Sequence, residues 1–270
     1  MEAIVTESVL AVSGARLRYT VRGDGPLLLL VAGGHHGVDA NEPLARHLAD
    51  RYRVLTFDRR GLAGSTADAP ATSIGTHAED VSALLSALTS EPAFVYGTSF
   101  GALIALELTV RHPEQVARLI AHEPAVPQVL PEPDVALGQL ETVEEIFRAE
   151  GAVAAMRRFA ADLDIDASDA EPDLPTRTPR PEHRRDAEVL LTYDLPAIRT
   201  HLLDVAALKG ATPKIVPAAG ENSSHVWPHA SAAMLAGELG TPLELFPGGH
   251  NGYVFQPRGT AERIRTVLGS

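Results

Sequence analysis

Residues 94–101 read Phe-Val-Tyr-Gly-Thr-Ser-Phe-Gly, and the last five of them, Gly97–Gly101, fit the pattern Gly-x-Ser-x-Gly. An apolar run of strand length, Ala93–Tyr96, enters this pattern, and a helical pattern, Gly101–His112, leaves it. A sharp turn from a strand into a helix exposes the serine hydroxyl at the end of the strand, and the glycines avoid collisions with neighbouring backbone. The helix N-terminus also favours developing negative charge. The context therefore predicts that Ser99 is a nucleophile.

Apolar runs of strand length alternate along the chain with amphipathic segments of helix length. Strands covered on both faces read as such runs, so the alternation predicts an α/β fold with a doubly wound, mostly parallel sheet. Two segments joined by Ser-Gly, Ala3–Val12 and Ala15–Val21, predict an antiparallel hairpin at its edge. The other predicted strands are Leu27–Ala32, Val54–Phe57, Leu119–Ala121, Lys214–Ala218 and Leu243–Phe246, and further predicted helices are His77–Leu88 and Ala230–Leu239.

The alternation breaks between about Pro127 and Val205, where helical patterns occur without a clear strand. The middle of this region, Asp162–Arg185, is dense in Asp, Pro and Arg and is predicted to be a loop. Long excursions from compact domains often cover a site. We therefore expect a first core part at 1–126, a helical lid at 127–205 and a second core part at 206–270. The helical patterns of the lid are Thr142–Ala149, Val153–Leu163 and Asp186–Thr192.

The composition restricts the class of protein. The 270 residues include no cysteine, and 23 basic against 35 acidic residues give a net charge of −12. Without a basic cluster, a nucleic-acid or membrane partner is not expected. The first ten residues lack the basic region of a secretory signal, so we expect a cytoplasmic protein. The expected partner is a small-molecule substrate. The oligomeric state has no sequence signal.

A second glycine-rich turn, Gly33–Gly37 (Gly-Gly-His-His-Gly), follows the predicted strand Leu27–Ala32. Adjacent glycines allow backbone N–H groups to point into a site, and an oxyanion hole needs two such donors. We expect these donors to be the amides of Gly34 and Phe100. His35 lies within this turn and is a weaker candidate for lining the pocket.

The predicted base is His250. It follows the predicted strand Leu243–Phe246 on a glycine-rich loop and comes last in the chain order of serine, acid and histidine. Serine needs a base that titrates near neutral pH, and histidine is the usual one.

Together these stretches resemble the α/β-hydrolase superfamily along essentially the whole chain, in particular its small bacterial serine-nucleophile members with a helical cap. The resemblance implies a triad of serine, acid and histidine, a helical cap after the strand Leu119–Ala121, and no cofactor. The matching stretches are GGHHG (Gly33–Gly37), FDRRGLAGS (Phe57–Ser65), YGTSFG (Tyr96–Gly101), HPEQVARLIAHEP (His112–Pro124) and FPGGHNGY (Phe246–Tyr253).

The sequence departs from the family at the acid. Most members carry it on the turn after the strand that corresponds to Lys214–Ala218, but the two usual positions here hold Asn222 and Ser223. Asn222 could still contact the imidazole, but an amide cannot stabilise imidazolium. Two carboxylates remain as candidates. Glu123, which follows the strand Leu119–Ala121, where some members of the family place their acid, is preferred to Glu221 on the same turn as Asn222, and a site without an acid stays open.

His225 and His229 have the spacing of two metal ligands on a helix. Pro228 lies between them and no third ligand is evident, so no metal site is predicted.

Three classes of function remain open. The first is a serine hydrolase that cleaves an ester, thioester or lactone of a small neutral or hydrophobic molecule. The second is a non-hydrolytic enzyme on the same scaffold, such as an epimerase, cyclase, lyase or acyl transferase, which the missing acid at Asn222 motivates. The third is a non-catalytic protein that binds a small molecule.

Overall fold

The computed structural model describes residues 4–69, 73–168, 170–172, 174, 181–211 and 214–269. The strands are β1 Val5–Val12, β2 Ala15–Arg22, β3 Leu27–Val31, β4 Arg53–Phe57, β5 Thr66–Ala67, β6 Ala93–Thr98, β7 Val116–His122, β8 Ile215–Gly220 and β9 Glu244–Phe246. The helices are α1 Val38–Leu48, α2 Ile74–Leu88, α3 Phe100–Arg111, α4 Pro133–Glu150, α5 Ala152–Asp162, α6 Pro181–Val189, α7 Leu195–Thr200, α8 Val205–Gly210, α9 Trp227–Leu239, α10 Gly252–Phe255 and α11 Pro257–Leu268.

The strands form one sheet in the order β1-β2-β4-β3-β6-β7-β8-β9, with β5 paired to β2. The pairs β1–β2 and β2–β4 are antiparallel, and every pair from β4 to β9 is parallel. The predicted fold class and edge hairpin are therefore confirmed. Because β6, β7, β8 and β9 are parallel neighbours, the residues that follow them meet at one edge of the sheet.

The packing of β3 explains why its sequence is apolar throughout. All five residues, Leu27–Val31, are buried, and successive side chains point to opposite faces of the sheet. The odd-numbered residues of β3 join a core with helices α2 and α3, while Leu28 and Leu30 join a second core with α1 and α11. A sheet covered on both faces leaves no position in this strand for a polar side chain.

Helices α4 to α8 lie between β7 and β8, and the described residues of this stretch contain no strand. We call its part from 127 to 204 the helical insertion. Helix α4 begins at Pro133, earlier than predicted, and α6 begins at Pro181, inside the predicted loop Asp162–Arg185. Both corrections have one cause: proline is favoured at the first position of a helix, where its missing N–H is not needed. Residues 169, 173 and 175–180 of the predicted loop lie outside the described residues. None of the described helices is long and apolar enough to cross a membrane.

Candidate active site

Ser99 occupies the turn between β6 and α3 with φ 52° and ψ −119°, a conformation that is rare for a residue with a side chain. Its N–H donates to the carbonyl of His122 at 2.9 Å, and its own carbonyl accepts from the N–H of Ala125 at 3.1 Å. These two bonds tie the turn to the end of β7 and hold the unfavourable dihedral angles in place. The side chain of Ser99 is half-buried.

The glycines of the motif are required by space. A Cβ atom at Gly101 would lie 2.2 Å from the carbonyl oxygen of Val31, and one at Gly97 would lie 2.8 Å from Cα of Ala102. Neither glycine has a positive φ. The close approach of α3 to β3 and β6 therefore excludes larger residues on both sides of Ser99.

A buried carboxylate–imidazole pair lies at the same edge of the sheet. Oε2 of Glu123 is 2.6 Å from Nδ1 of His250, and both side chains are buried. Glu123 follows β7 with φ 45°, another left-handed conformation for a residue other than glycine. Since Nδ1 faces the carboxylate, Nε2 is the nitrogen of His250 that remains for other contacts.

The second oxygen of Glu123 is also fully engaged. Oε1 accepts from the N–H of Gly220 at 2.8 Å and from the hydroxyl of Ser223, and Nδ1 of His229 lies 3.7 Å away. Burial acts to raise the pKa of Glu123, but His229 and His250 outweigh burial and lower it below its ordinary value. The carboxylate is therefore charged at neutral pH and restricted to one orientation.

The glycine-rich turn after β3 packs against the serine turn. The N–H of Gly33 donates to Oγ1 of Thr98 at 3.0 Å, and Gly34 has φ 54°, which favours glycine. Phe100 is the first residue of α3, where backbone N–H groups have no partner within the helix. That Gly34 and Phe100 supply the oxyanion donors remains a prediction.

Comparison with known proteins places the chain in a family. Residues 26–164 match the family model described as alpha/beta hydrolase fold. The chain is 35% identical over 272 positions to the uncharacterized hydrolase YraK of Bacillus subtilis, covering 98% of this chain and 96% of that protein. The chain belongs to the α/β-hydrolase family.

Solved structures share the fold of this α/β-hydrolase along the whole chain. The esterase EaEST from Exiguobacterium antarcticum has a TM-score of 0.75 at 20% identity and covers 97% of this chain and 98% of its own. A thermophilic esterase from Thermogutta terrifontis has a TM-score of 0.72 at 18% identity, covering 100% of this chain and 98% of its own.

The turn after β8 of this α/β-hydrolase takes a different part in the site from the one expected. Glu221 is exposed, and its described contact is a backbone bond to the carbonyl of Phe246. Asn222 is also exposed and lines a cavity of about 160 Å³ that reaches His250. Ser223, which the sequence indicates only as a lost acid position, is buried and donates to Glu123.

The histidines around the site of this α/β-hydrolase have separate partners. His225 Nε2 lies 3.0 Å from Asp164, whereas His229 faces Glu123, so the two side chains do not converge. The described residues contain no group of three or more His, Asp or Glu side chains that could hold a metal ion. His35 stacks on His36 at 4.8 Å between ring centroids, and burial, assisted by the charges of His183 and Arg59, lowers its pKa to about 4.

Two further residues beside the site had no signal in the sequence of this α/β-hydrolase. Arg59 follows β4 within the FDRRGLAGS stretch, and Asp194 lies in the helical insertion. They form a buried ion pair at 2.8 Å across 135 residues of chain.

Proposed function

We propose that the protein is a serine hydrolase that cleaves an ester, thioester or lactone of a small neutral or hydrophobic molecule through an acyl-enzyme. The observation that carries this proposal is the buried contact of 2.6 Å between Glu123 and His250, at the sheet edge where Ser99 adopts its strained turn. In this role Glu123 is the triad acid, and Glu221 has none.

In the first half of the reaction, Oγ of Ser99 attacks the substrate carbonyl while Nε2 of His250 takes the serine proton. The negative charge on the carbonyl oxygen is held by the amides of Gly34 and Phe100. His250 then gives its proton to the leaving alkoxide or thiolate. Glu123 holds the imidazole in the tautomer that presents Nε2 to the serine and stabilises the imidazolium.

In the second half, His250 takes a proton from water, and the resulting hydroxide attacks the acyl carbonyl of Ser99. The acyl–oxygen bond breaks, the proton returns through His250 to Ser99, and a carboxylic acid leaves. No cofactor enters either half. The helical insertion acts as a lid that separates the acyl-enzyme from bulk water.

The similar proteins support this reaction class. The two structural neighbours are called esterases and the Bacillus subtilis relative a hydrolase. The motive for a non-hydrolytic reaction was the missing acid at Asn222, and that motive is weakened because Glu123 contacts His250.

The test is intact-mass spectrometry after incubation with a small fluorophosphonate, on wild type and on Ser99→Ala. An activated serine forms an oxygen–phosphorus bond and releases fluoride. We expect rapid labelling at one site in wild type and none in the variant. A folded wild type that stays unlabelled, and that does not hydrolyse 4-nitrophenyl acetate, would contradict the proposal.

A further inference from the structure

One guanidinium contacts both residues that we expect to supply the oxyanion donors. The side chain of Arg59 is buried, Nη2 donates to the carbonyl of Gly34, and Cζ lies 4.5 Å from the centre of the Phe100 ring. A cation over an aromatic face is attracted by the ring electrons, the more so when both are removed from water. The two halves of the predicted oxyanion hole therefore share one neighbour.

The same guanidinium binds the helical insertion. Nη1 of Arg59 donates to Oδ2 of Asp194 at 2.8 Å, and Oδ1 of Asp194 lies 3.6 Å from Nε2 of His77. Asp194 ends a π-helical turn, Leu190–Asp194. Such turns are rare in proteins, and those that occur are often found at functional sites. Burial acts to raise the pKa of Asp194, but Arg59 and His77 together outweigh burial and lower it below its ordinary value, which favours the charged carboxylate.

The bond to Gly34 also determines the direction of a neighbouring donor. The carbonyl of Gly34 and the N–H of His35 belong to one peptide unit, and the described residues contain no cis peptide bond. In a trans unit the two groups point in opposite directions. Holding the oxygen of Gly34 towards Arg59 thus turns the N–H of His35 away from Arg59 and restrains one of the two peptide units that flank Gly34, the residue whose own N–H is the predicted oxyanion donor.

The geometry points to Arg59 as a positioning residue for the oxyanion hole, and to Asp194 as the contact through which the helical insertion controls it; the part that concerns catalysis rests on the proposed function. A buried ion pair that loses one partner leaves an uncompensated charge, which is strongly unfavourable. When the insertion withdraws Asp194, the guanidinium follows its counter-charge or water, and the Gly34 turn loses its support. The oxyanion hole is then complete only with the insertion in place.

The first measurement is amide hydrogen exchange of the full chain in Asp194→Asn, with Asp80→Asn as the matched control. Asp80 is also buried and binds a neighbouring arginine, Arg60, at 2.7 Å. We expect Asp194→Asn to speed exchange in peptides covering residues 33–37 about tenfold or more, and Asp80→Asn to leave those peptides unchanged. Equal exchange at residues 33–37 in wild type and Asp194→Asn would overturn the inference, whether or not the protein is a hydrolase.

The second measurement separates positioning from folding. For 4-nitrophenyl acetate, kcat is determined per active site titrated with the fluorophosphonate, so that misfolded molecules do not count. We expect Asp194→Asn and Arg59→Lys to lower kcat about tenfold to a hundredfold with a smaller change in KM, since a displaced oxyanion donor acts on the transition state. Unchanged kcat in both variants would overturn the positioning role. Failure of the wild type to react would contradict the proposed function instead.

Discussion

Oε2 of Glu123 lies 2.6 Å from Nδ1 of His250, although Glu123 follows β7 and the imidazole follows β9. The contact crosses β8, whose turn carries Ser223 between them in the sheet order. The hydroxyl of Ser223 donates to the other oxygen of the same carboxylate. Ser223, at a usual acid position of the family, thus supports a carboxylate that follows the neighbouring strand β7.

Replacing this carboxylate tests its role in the triad. We expect Glu123→Gln to lower kcat about a thousandfold to ten-thousandfold, because an amide holds the wrong tautomer of His250 and cannot stabilise the imidazolium. Glu221→Gln is the matched control, and its kcat should equal that of wild type. The check is steady-state hydrolysis of 4-nitrophenyl acetate with circular dichroism of each variant. The reverse pattern would assign the acid to Glu221.

The neighbouring hydroxyl offers a test by transplantation. Ser223→Asp alone places a second carboxylate against Glu123, and like charges in a buried site are unfavourable, so we expect a poorly active, destabilised protein. In Glu123→Ala combined with Ser223→Asp, the new carboxylate has the space and His250 to itself. We expect the double variant to be at least about tenfold more active than Glu123→Ala alone. An additive loss of activity would show that a carboxylate at 223 does not reach His250.

The close approach of α3 to β3 predicts a strong effect on stability. Gly101→Ala places Cβ 2.2 Å from the carbonyl of Val31, so the helix must move; we expect a loss of about 3 kcal/mol or more in the free energy of unfolding. Gly138 lies within α4 with open space around it, and Gly138→Ala should stabilise by about 0.5–1 kcal/mol. Urea unfolding followed by circular dichroism measures both. A mild effect at Gly101 would mean that the elbow tolerates a shift of α3.

The buried imidazole of His122 predicts a pH dependence of stability. Burial lowers its pKa from 6.5 to about 4, against the opposing charge of Glu123. In the pH range between these two pKa values, the imidazole of His122 is protonated in the unfolded chain but neutral in the folded protein. The free energy of unfolding therefore falls as the pH falls through this range, by up to about 3 kcal/mol. His122→Phe removes this contribution and fills the same apolar surroundings beside Tyr96 and Phe246. Urea unfolding from about pH 7 to about pH 4.5 should therefore show wild type losing more stability than the variant. A difference in the free energy of unfolding between wild type and His122→Phe that stays constant with pH would contradict this prediction.

Local patterns predicted the fold and the placement of Ser99 and His250, because each depends on a turn that follows its own strand. Local patterns could not establish in the same way that Glu123, and not Glu221, contacts His250. This contact depends on strand order: β7 and β8 are parallel neighbours, so a residue at the end of β7 reaches across the turn after β8. Chain spacing alone places Glu221 nearer to the usual acid position.

The pair of Arg59 and Asp194 was missed for a related reason. Its members are 135 residues apart, and neither lies in a pattern that indicates a partner. Asp194 also lies in the insertion, where the sequence has helical periodicity but no motif. The predicted loop Asp162–Arg185 was wrong at Pro181, because this proline begins helix α6.

The carboxylate that contacts His250 comes from the end of β7, so no carboxylate from the turn after β8 is needed there. Glu221 and Asn222 are exposed, and Asn222 borders the cavity that reaches His250. Asn222 is therefore the position at which directed evolution would vary the lining of this cavity. In the proposed hydrolase, a library at position 222 would vary the surface of this cavity without altering Glu123, which contacts the imidazole, or Ser223, which supports Glu123. Selection for new substrates would then begin from variants that keep the pair of Glu123 and His250 intact.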